Sequence, residues 1–147
     1  SSVMSRVGYI IMYAGCLIVW ASKLQTEIAL STTEAEYIAF SQSLRDTIPL
    51  LGLLKEVRDA IPSSDVVPAV HCTVHEDNKG CIELVETPRM RPRTKHIAIK
   101  YHHFRKHVRD GLISVKYVDT ANQIADIFTK ALADGQFVEL RKKLMGW

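Results

Sequence analysis

Val66-Val-Pro-Ala-Val-His-Cys-Thr-Val-His75, then Glu76-Asp77-Asn78, then Lys79-Gly-Cys-Ile-Glu-Leu-Val85 is the stretch that decides the fold. The Val-rich run suits a pleated, half-buried strand. The acids end it, and a short helix is expected from Lys79 to Val85. A strand that passes through an acidic turn straight into a helix is a building unit of α/β domains. Upstream, Val7–Tyr13 and Cys16–Ala21 are two β-rich runs joined at Ala14-Gly15, a hairpin signature. Ser31-Thr-Thr-Glu34 matches a capping box, and Tyr37, Phe40, Leu44, Ile48 and Leu51 recur on one helical face behind it. Pro49 is expected to end or kink that helix and to open a second one over Leu50–Ile61, stopped by Pro62.

Downstream, the two prolines of Thr87–Pro92 forbid regular structure. Ile97, Tyr101, Phe104 and Val108 then form an apolar stripe at helical spacing. Asp110-Gly111 closes that helix, Leu112–Val118 reads as a strand, and Asn122–Leu132 and Phe137–Met145 read as helices. The order ββααβααβαα predicts one α/β domain over residues 1–147, with a mixed sheet flanked by helices.

Composition agrees with a chain that can bury a core, being 47% hydrophobic and 24% charged. Cys16, Cys72 and Cys81 form no CxxC pair, and their odd number argues against a disulfide framework, which points to a reducing intracellular compartment. Val7–Trp20 is too short to span a bilayer and carries Gly15 in its middle, so no membrane partner is expected. The chain opens on Ser1 and not on Met, which suggests a piece of something longer. Its net charge of +3 is unevenly spread: residues 89 to 109 hold eight Lys or Arg and no acid. Such a cluster gains affinity for a polyanion by releasing counterions from phosphates, although a solvated helix face has the same composition.

Acids stand where elements begin or end: Glu34 or Glu36 in the first turns of a helix, Asp77 past a strand, and Asp126 early in a late helix. Taken singly, each is as well read as a surface or capping residue. Together they could meet at one sheet edge. Converging carboxylates repel unless a cation lies between them, which would favour hard, oxygen-liking Mg²⁺ or Mn²⁺.

Four segments carry more than their acids. Ser31-Thr-Thr-Glu-Ala-Glu-Tyr-Ile-Ala39, His75-Glu-Asp-Asn-Lys-Gly80, Arg93-Thr-Lys-His-Ile97 and Tyr117-Val-Asp-Thr-Ala-Asn-Gln-Ile-Ala-Asp-Ile-Phe-Thr-Lys130 closely resemble the ribonuclease H domain of copia-type retrotransposons. Order and spacing match across essentially the whole chain. The resemblance implies a five-stranded ribonuclease H-like mixed sheet, and a two-metal hydrolase that cuts the RNA strand of RNA–DNA hybrids during reverse transcription. It also implies a site of Asp, Glu, Asp and Asp holding two Mg²⁺ or Mn²⁺ ions. The partners it implies are the hybrid and an upstream reverse transcriptase domain of the same polyprotein, in a cytoplasmic particle or the nucleus.

Residue by residue, Asp77 and Asp126 match the family's later acids. For the Glu, helical-wheel geometry leaves Glu34 and Glu36 open. The run Glu36-Tyr-Ile-Ala39 resembles the segment following the family's catalytic Glu, which favours Glu36, while Glu34 has a capping role available; Thr33-x-x-Glu36 can also be read as a capping box. The catalytic and metal-binding set is therefore Glu36, Asp77 and Asp126. Arg93, Lys95, His96, Lys100, Arg105, Lys106 and Arg109 are the expected nucleic-acid contacts.

The family's first, central strand and its Asp have no counterpart here, the earliest Asp being Asp46. The chain is thus expected to be an N-terminally truncated domain, marginally stable, weak in metal binding and poor in cleavage. The rival reading is a catalytically dead remnant that binds nucleic acid or is only structural. An integrase or transposase nuclease would share the acids but lack the Thr-Glu-Ala-Glu-Tyr and Ala-Asp-Ile-Phe-Thr-Lys segments. All six histidines lie between His71 and His107, yet only His103 and His107 have chelating spacing, and no standard zinc ligand set forms.

Overall fold

The computed structural model describes residues 4–62, 69–87, 97 and 99–147. Strands β1 (Arg6–Tyr13) and β2 (Cys16–Leu24) form the expected antiparallel hairpin. Its two turn residues, Ala14 at φ 51° and Gly15 at φ 78°, are both left-handed, as a tight two-residue turn requires. The register shifts between Ile11, opposite Val19, and Met12, opposite Leu17.

Helix α1 runs unbroken from Thr32 to Ala60 with Pro49 inside it, so the expected pair of helices is one. Two features let the proline pass. Pro49 and Arg45, whose carbonyl loses its N–H partner to the ring, are both exposed, so water can satisfy the orphan. In the turn before it, the Thr47 hydroxyl donates to the Ser43 carbonyl at 2.9 Å, and Leu44 and Leu51 anchor the helix in the core on either side.

Strand β3 (Cys72–Glu76) is shorter than the expected Val66–His75 run, whose residues 66–68 lie outside the described ones. It pairs in parallel with β4 (Ile113–Tyr117), Cys72 opposite Ile113 and Glu76 opposite Tyr117. The crossover between them carries α2 (Lys79–Glu86), a 3-10 turn over Ile99–Tyr101, and α3 (Arg105–Arg109). The mixed α/β class is thus present, with both pairing modes. Among the described residues the strands divide into two separate two-stranded sheets, β1 with β2 and β3 with β4.

The apolar stripe of the basic region is buried as its spacing predicts: Ile97, Tyr101 and Phe104 are inaccessible and Val108 half-buried. A continuous helix does not form there. His102 uses both ring nitrogens, one 2.6 Å from the Tyr37 hydroxyl and the other 3.3 Å from the Ile97 carbonyl, and His103 Nε2 lies 3.2 Å from the Ser41 carbonyl. These side-chain bonds compete with a helical ladder and break it into two short pieces. Phe104, its ring tilted against those of Tyr37 and Phe40 with centroids 5.5 and 5.0 Å away, fastens the segment to α1.

The expected helix over Asn122–Leu132 is instead two 3-10 segments, Thr120–Asn122 and Ile124–Phe128. The second lies directly on β1, where a side chain on Gly8 would collide with Thr129 and Phe128, and Ser22 Oγ donates to the Phe128 carbonyl at 2.7 Å. That close seating fits the tighter 3-10 winding. Helix α4 (Asp134–Met145) completes the chain, ending on the left-handed Gly146.

Candidate metal centre

The site begins with the cap of α1. Ser31 Oγ accepts the Glu34 N–H at 3.1 Å, and Glu34 Oε2 accepts the Leu30 N–H at 3.0 Å, so Glu34 is buried in capping work. Two residues on, Glu36 faces the end of β3. The start of α1 reaches that point because the second residue of α2 is small: a Cβ at Gly80 would lie 2.9 Å from Thr33 Oγ1 and 3.2 Å from Asn78 Oδ1. Asn78 caps α2 by accepting the Cys81 N–H at 2.9 Å, and its own N–H donates to Glu76 Oε1 at 2.9 Å.

One carboxylate oxygen each from Glu36, Glu76 and Asp77 lie within 4.8 Å of one another. Asp126 comes to the same end of β3. Gln123 Nε2 donates to the His75 carbonyl at 3.0 Å, and the Val118 N–H to the Glu76 carbonyl at 3.0 Å, which tie the last acid's segment to the strand. Asp126 is buried and its Oδ2 accepts from Lys130 Nζ at 2.9 Å.

The electrostatics record the convergence. Burial, and then the Asp77 and Asp126 charges against the relief of Lys130, hold the Glu36 carboxyl above its ordinary range. Burial also raises Asp126, which Lys130 lowers and Asp77 raises. Glu76 is pushed up to about 8, mainly by burial, with the charges of Glu36 and Asp77 adding to it against the Asn78 N–H. Burial lifts the neighbouring Cys81 thiol as well, so it stays protonated. Lys130 is raised: burial pulls it down, but Asp126, Asp77 and Glu36 together outweigh that.

The three acids singled out from sequence therefore share one neighbourhood, with Glu36 and not Glu34 facing the others. Glu76 and Lys130 were missed. Strict alternation along a strand would point Glu76 away from Asp77, but Asp77 lies past the strand end, where alternation no longer holds. Lys130 stands four residues after Asp126, a spacing that could have flagged the pair. The donors present fit a hard divalent cation: all are carboxylate oxygens, with one each from Glu36, Glu76 and Asp77 within 4.8 Å of one another.

The basic stretch divides in two. Lys106 and Arg109 are exposed on α3, and Lys100 is exposed, paired with Glu27 and 5.0 Å from the Tyr101 ring centroid. Arg105 is spent internally, donating to the Leu84 carbonyl at 3.1 Å, to the Thr87 carbonyl and to the Tyr37 hydroxyl. Arg93, Lys95 and His96 lie outside the described residues. Among the described residues no histidine enters a metal-holding group, and no helix is long and apolar enough to cross a membrane.

Over 142 residues, 97% of the chain, the sequence is 37% identical to the retrovirus-related Pol polyprotein from transposon TNT 1-94 of Nicotiana tabacum. Its homologues are retrotransposon Pol polyproteins. Those from transposons RE1 and RE2 of Arabidopsis thaliana are each 33% identical over 141 residues, 96% of the chain. The chain spans about a tenth of the length of the curated relatives it matches, 10% of the first and 9% of the other two, as a Pol-derived domain would. No family model and no solved structure matches it.

Proposed function

We propose that the chain is the ribonuclease H domain of a copia-type Pol polyprotein, acting on the RNA strand of RNA–DNA hybrids beside a reverse transcriptase domain of the same polyprotein. The observation that carries this reading is the meeting of Glu36, Asp77 and Asp126, from α1, the end of β3 and the last 3-10 segment, with Glu76 as a fourth carboxylate. The motif resemblance and the Pol homology support it from the sequence side.

Glu36, Asp77 and Asp126 would hold a pair of Mg²⁺ or Mn²⁺ ions, with Glu76 at hand. When bound, such ions supply Lewis-acid stabilisation of charge on a phosphodiester and ease deprotonation of an attacking water. The chain's own contribution is orientation. The α1 cap fixes Glu36, the Asn78 turn fixes Asp77, and the Gln123 amide fixes the segment of Asp126. Lys100, Lys106 and Arg109 offer a sequence-independent hold on the sugar–phosphate backbone, so recognition rests on the shape and 2′-hydroxyls of the hybrid.

The test is cleavage of an end-labelled hybrid, with duplex DNA and duplex RNA as controls, in Mg²⁺ or Mn²⁺. Weak cutting confined to the RNA strand, and lost with Asp77→Asn or Asp126→Asn, is the expected result, since each substitution removes a metal-holding oxygen from a set that already lacks the family's first Asp. Salt-sensitive hybrid binding without cutting would transfer the chain to the non-catalytic reading.

A further inference from the structure

Lys130 is the feature of the site that the proposed chemistry leaves without a role. Its ammonium lies 2.9 Å from Asp126 Oδ2, reached by a helical spacing of four residues. The Lys130 backbone N–H also donates to the Asp126 carbonyl at 3.0 Å, so the two residues form one local unit. The Asp126 side chain is 8% exposed and that of Lys130 47% exposed. One partner is locked in and the other can swing into solvent.

We infer that Lys130 is a built-in counter-cation that occupies the acidic site when no divalent ion is there, and that a metal must displace it from Asp126 to bind. This rests on the metal reading of Glu36, Asp77 and Asp126 given above. Buried carboxyl groups brought together at a strand end stay ionised in a folded chain only with positive charge beside them. Lys130 is a cation among the described residues whose charge is felt by both Glu36 and Asp126. An ammonium 2.9 Å from Asp126 Oδ2 repels a divalent ion brought to the same carboxylate, so Lys130 competes. Its stem is long and flexible and nearly half of the side chain is already exposed, so the ammonium can swing away. The residue then sets the metal affinity of the site from below, holding the metal-free domain together at the expense of binding strength.

Mn²⁺ titrations by calorimetry, on the full chain and on Lys130→Met, Lys130→Gln and Lys130→Arg, test this, with thermal melts run alongside. The expected result is that Met and Gln bind Mn²⁺ about tenfold tighter, equivalent to about 1.4 kcal/mol, while Arg stays near the parent. Metal-free Lys130→Met should melt below the parent, and saturating Mn²⁺ should close that gap. Equal or weaker Mn²⁺ binding by both Met and Gln variants would overturn the inference and leave the metal site standing, with Lys130 as a residue that orients Asp126. A melting gap that Mn²⁺ leaves unchanged would overturn it too. If the parent chain binds no Mn²⁺, or binds it equally well as Asp77→Asn, the metal reading itself falls and this inference with it.

Discussion

Replacing Glu76 by Gln in the metal-free chain should make it more stable at pH 8, because the native environment disfavours the ionised carboxylate there. Glu76 is 6% exposed, and burial with the Glu36 and Asp77 charges moves its carboxyl from 4.5 to about 8. The folded chain therefore holds a proton that the unfolded chain has released throughout that interval. The stability tied to this proton is fully present below about pH 4.5 and is lost as pH rises through about 8. At about 1.36 kcal/mol per pH unit the full loss is on the order of 5 kcal/mol. Part of the rise belongs to the repulsion shared with Glu36 and Asp77, so a single substitution should recover roughly 2–4 kcal/mol. That is a sizeable part of the ~5–15 kcal/mol typical of a domain. Gln keeps the size of the side chain and can still accept the Asn78 N–H. The assay is urea denaturation in chelator at pH 5 and pH 8, parent against Glu76→Gln. Histidines and other acids titrate in both, so the difference of differences isolates Glu76. Parallel pH slopes in the two proteins, or a variant less stable at pH 8, would refute the reasoning.

Lys106→Ala with Arg109→Ala should flatten the salt dependence of hybrid binding by about one unit of log–log slope for each phosphate no longer neutralised, measured by fluorescence anisotropy from low to moderate salt. Arg105→Ala should instead leave that slope alone and cost about 1–3 kcal/mol in urea denaturation, since it orphans the Leu84 and Thr87 carbonyls. Gly80→Ala should lower stability by about 1–2 kcal/mol despite its better helix propensity, because the new methyl meets Thr33 and Asn78. Phe104→Ala, at a position with no solvent exposure, should cost about 3–5 kcal/mol by the same assay.

The hairpin was legible because Ala14-Gly15 sits between two β-rich runs, and the β3–α2 unit because Val, acid and cap follow in order. Burial along Ile97, Tyr101, Phe104 and Val108 was legible as well, but the winding of that segment was not. Periodicity reports which side chains are covered and is silent about His102 and His103 bonding to backbone and to Tyr37. Pro49 misled because a proline's cost depends on whether the orphaned carbonyl can reach water, which is a matter of burial. The 3-10 winding at Asp126 follows from the approach of Gly8, more than a hundred residues earlier, a neighbour that local pattern cannot report. At the site, Glu36, Asp77 and Asp126 could be named from motif resemblance. Glu76 could not, because its place depends on where the strand ends, and Lys130 was signalled only by its spacing of four from Asp126.

The Gln123–His75 and Ser22–Phe128 bonds span 48 and 106 residues. Loop-closure entropy makes such pairings late events, after local helices and hairpin have formed. During synthesis the α1 and β3 acids can meet while the tail of the domain is still unmade. The segment bearing Asp126 and Lys130 docks only afterwards, onto both the hairpin and β3. A nascent chain would thus bring Asp126 to Glu36 and Asp77 last, so that the carboxylate cluster comes together only once this final segment has been made and docked.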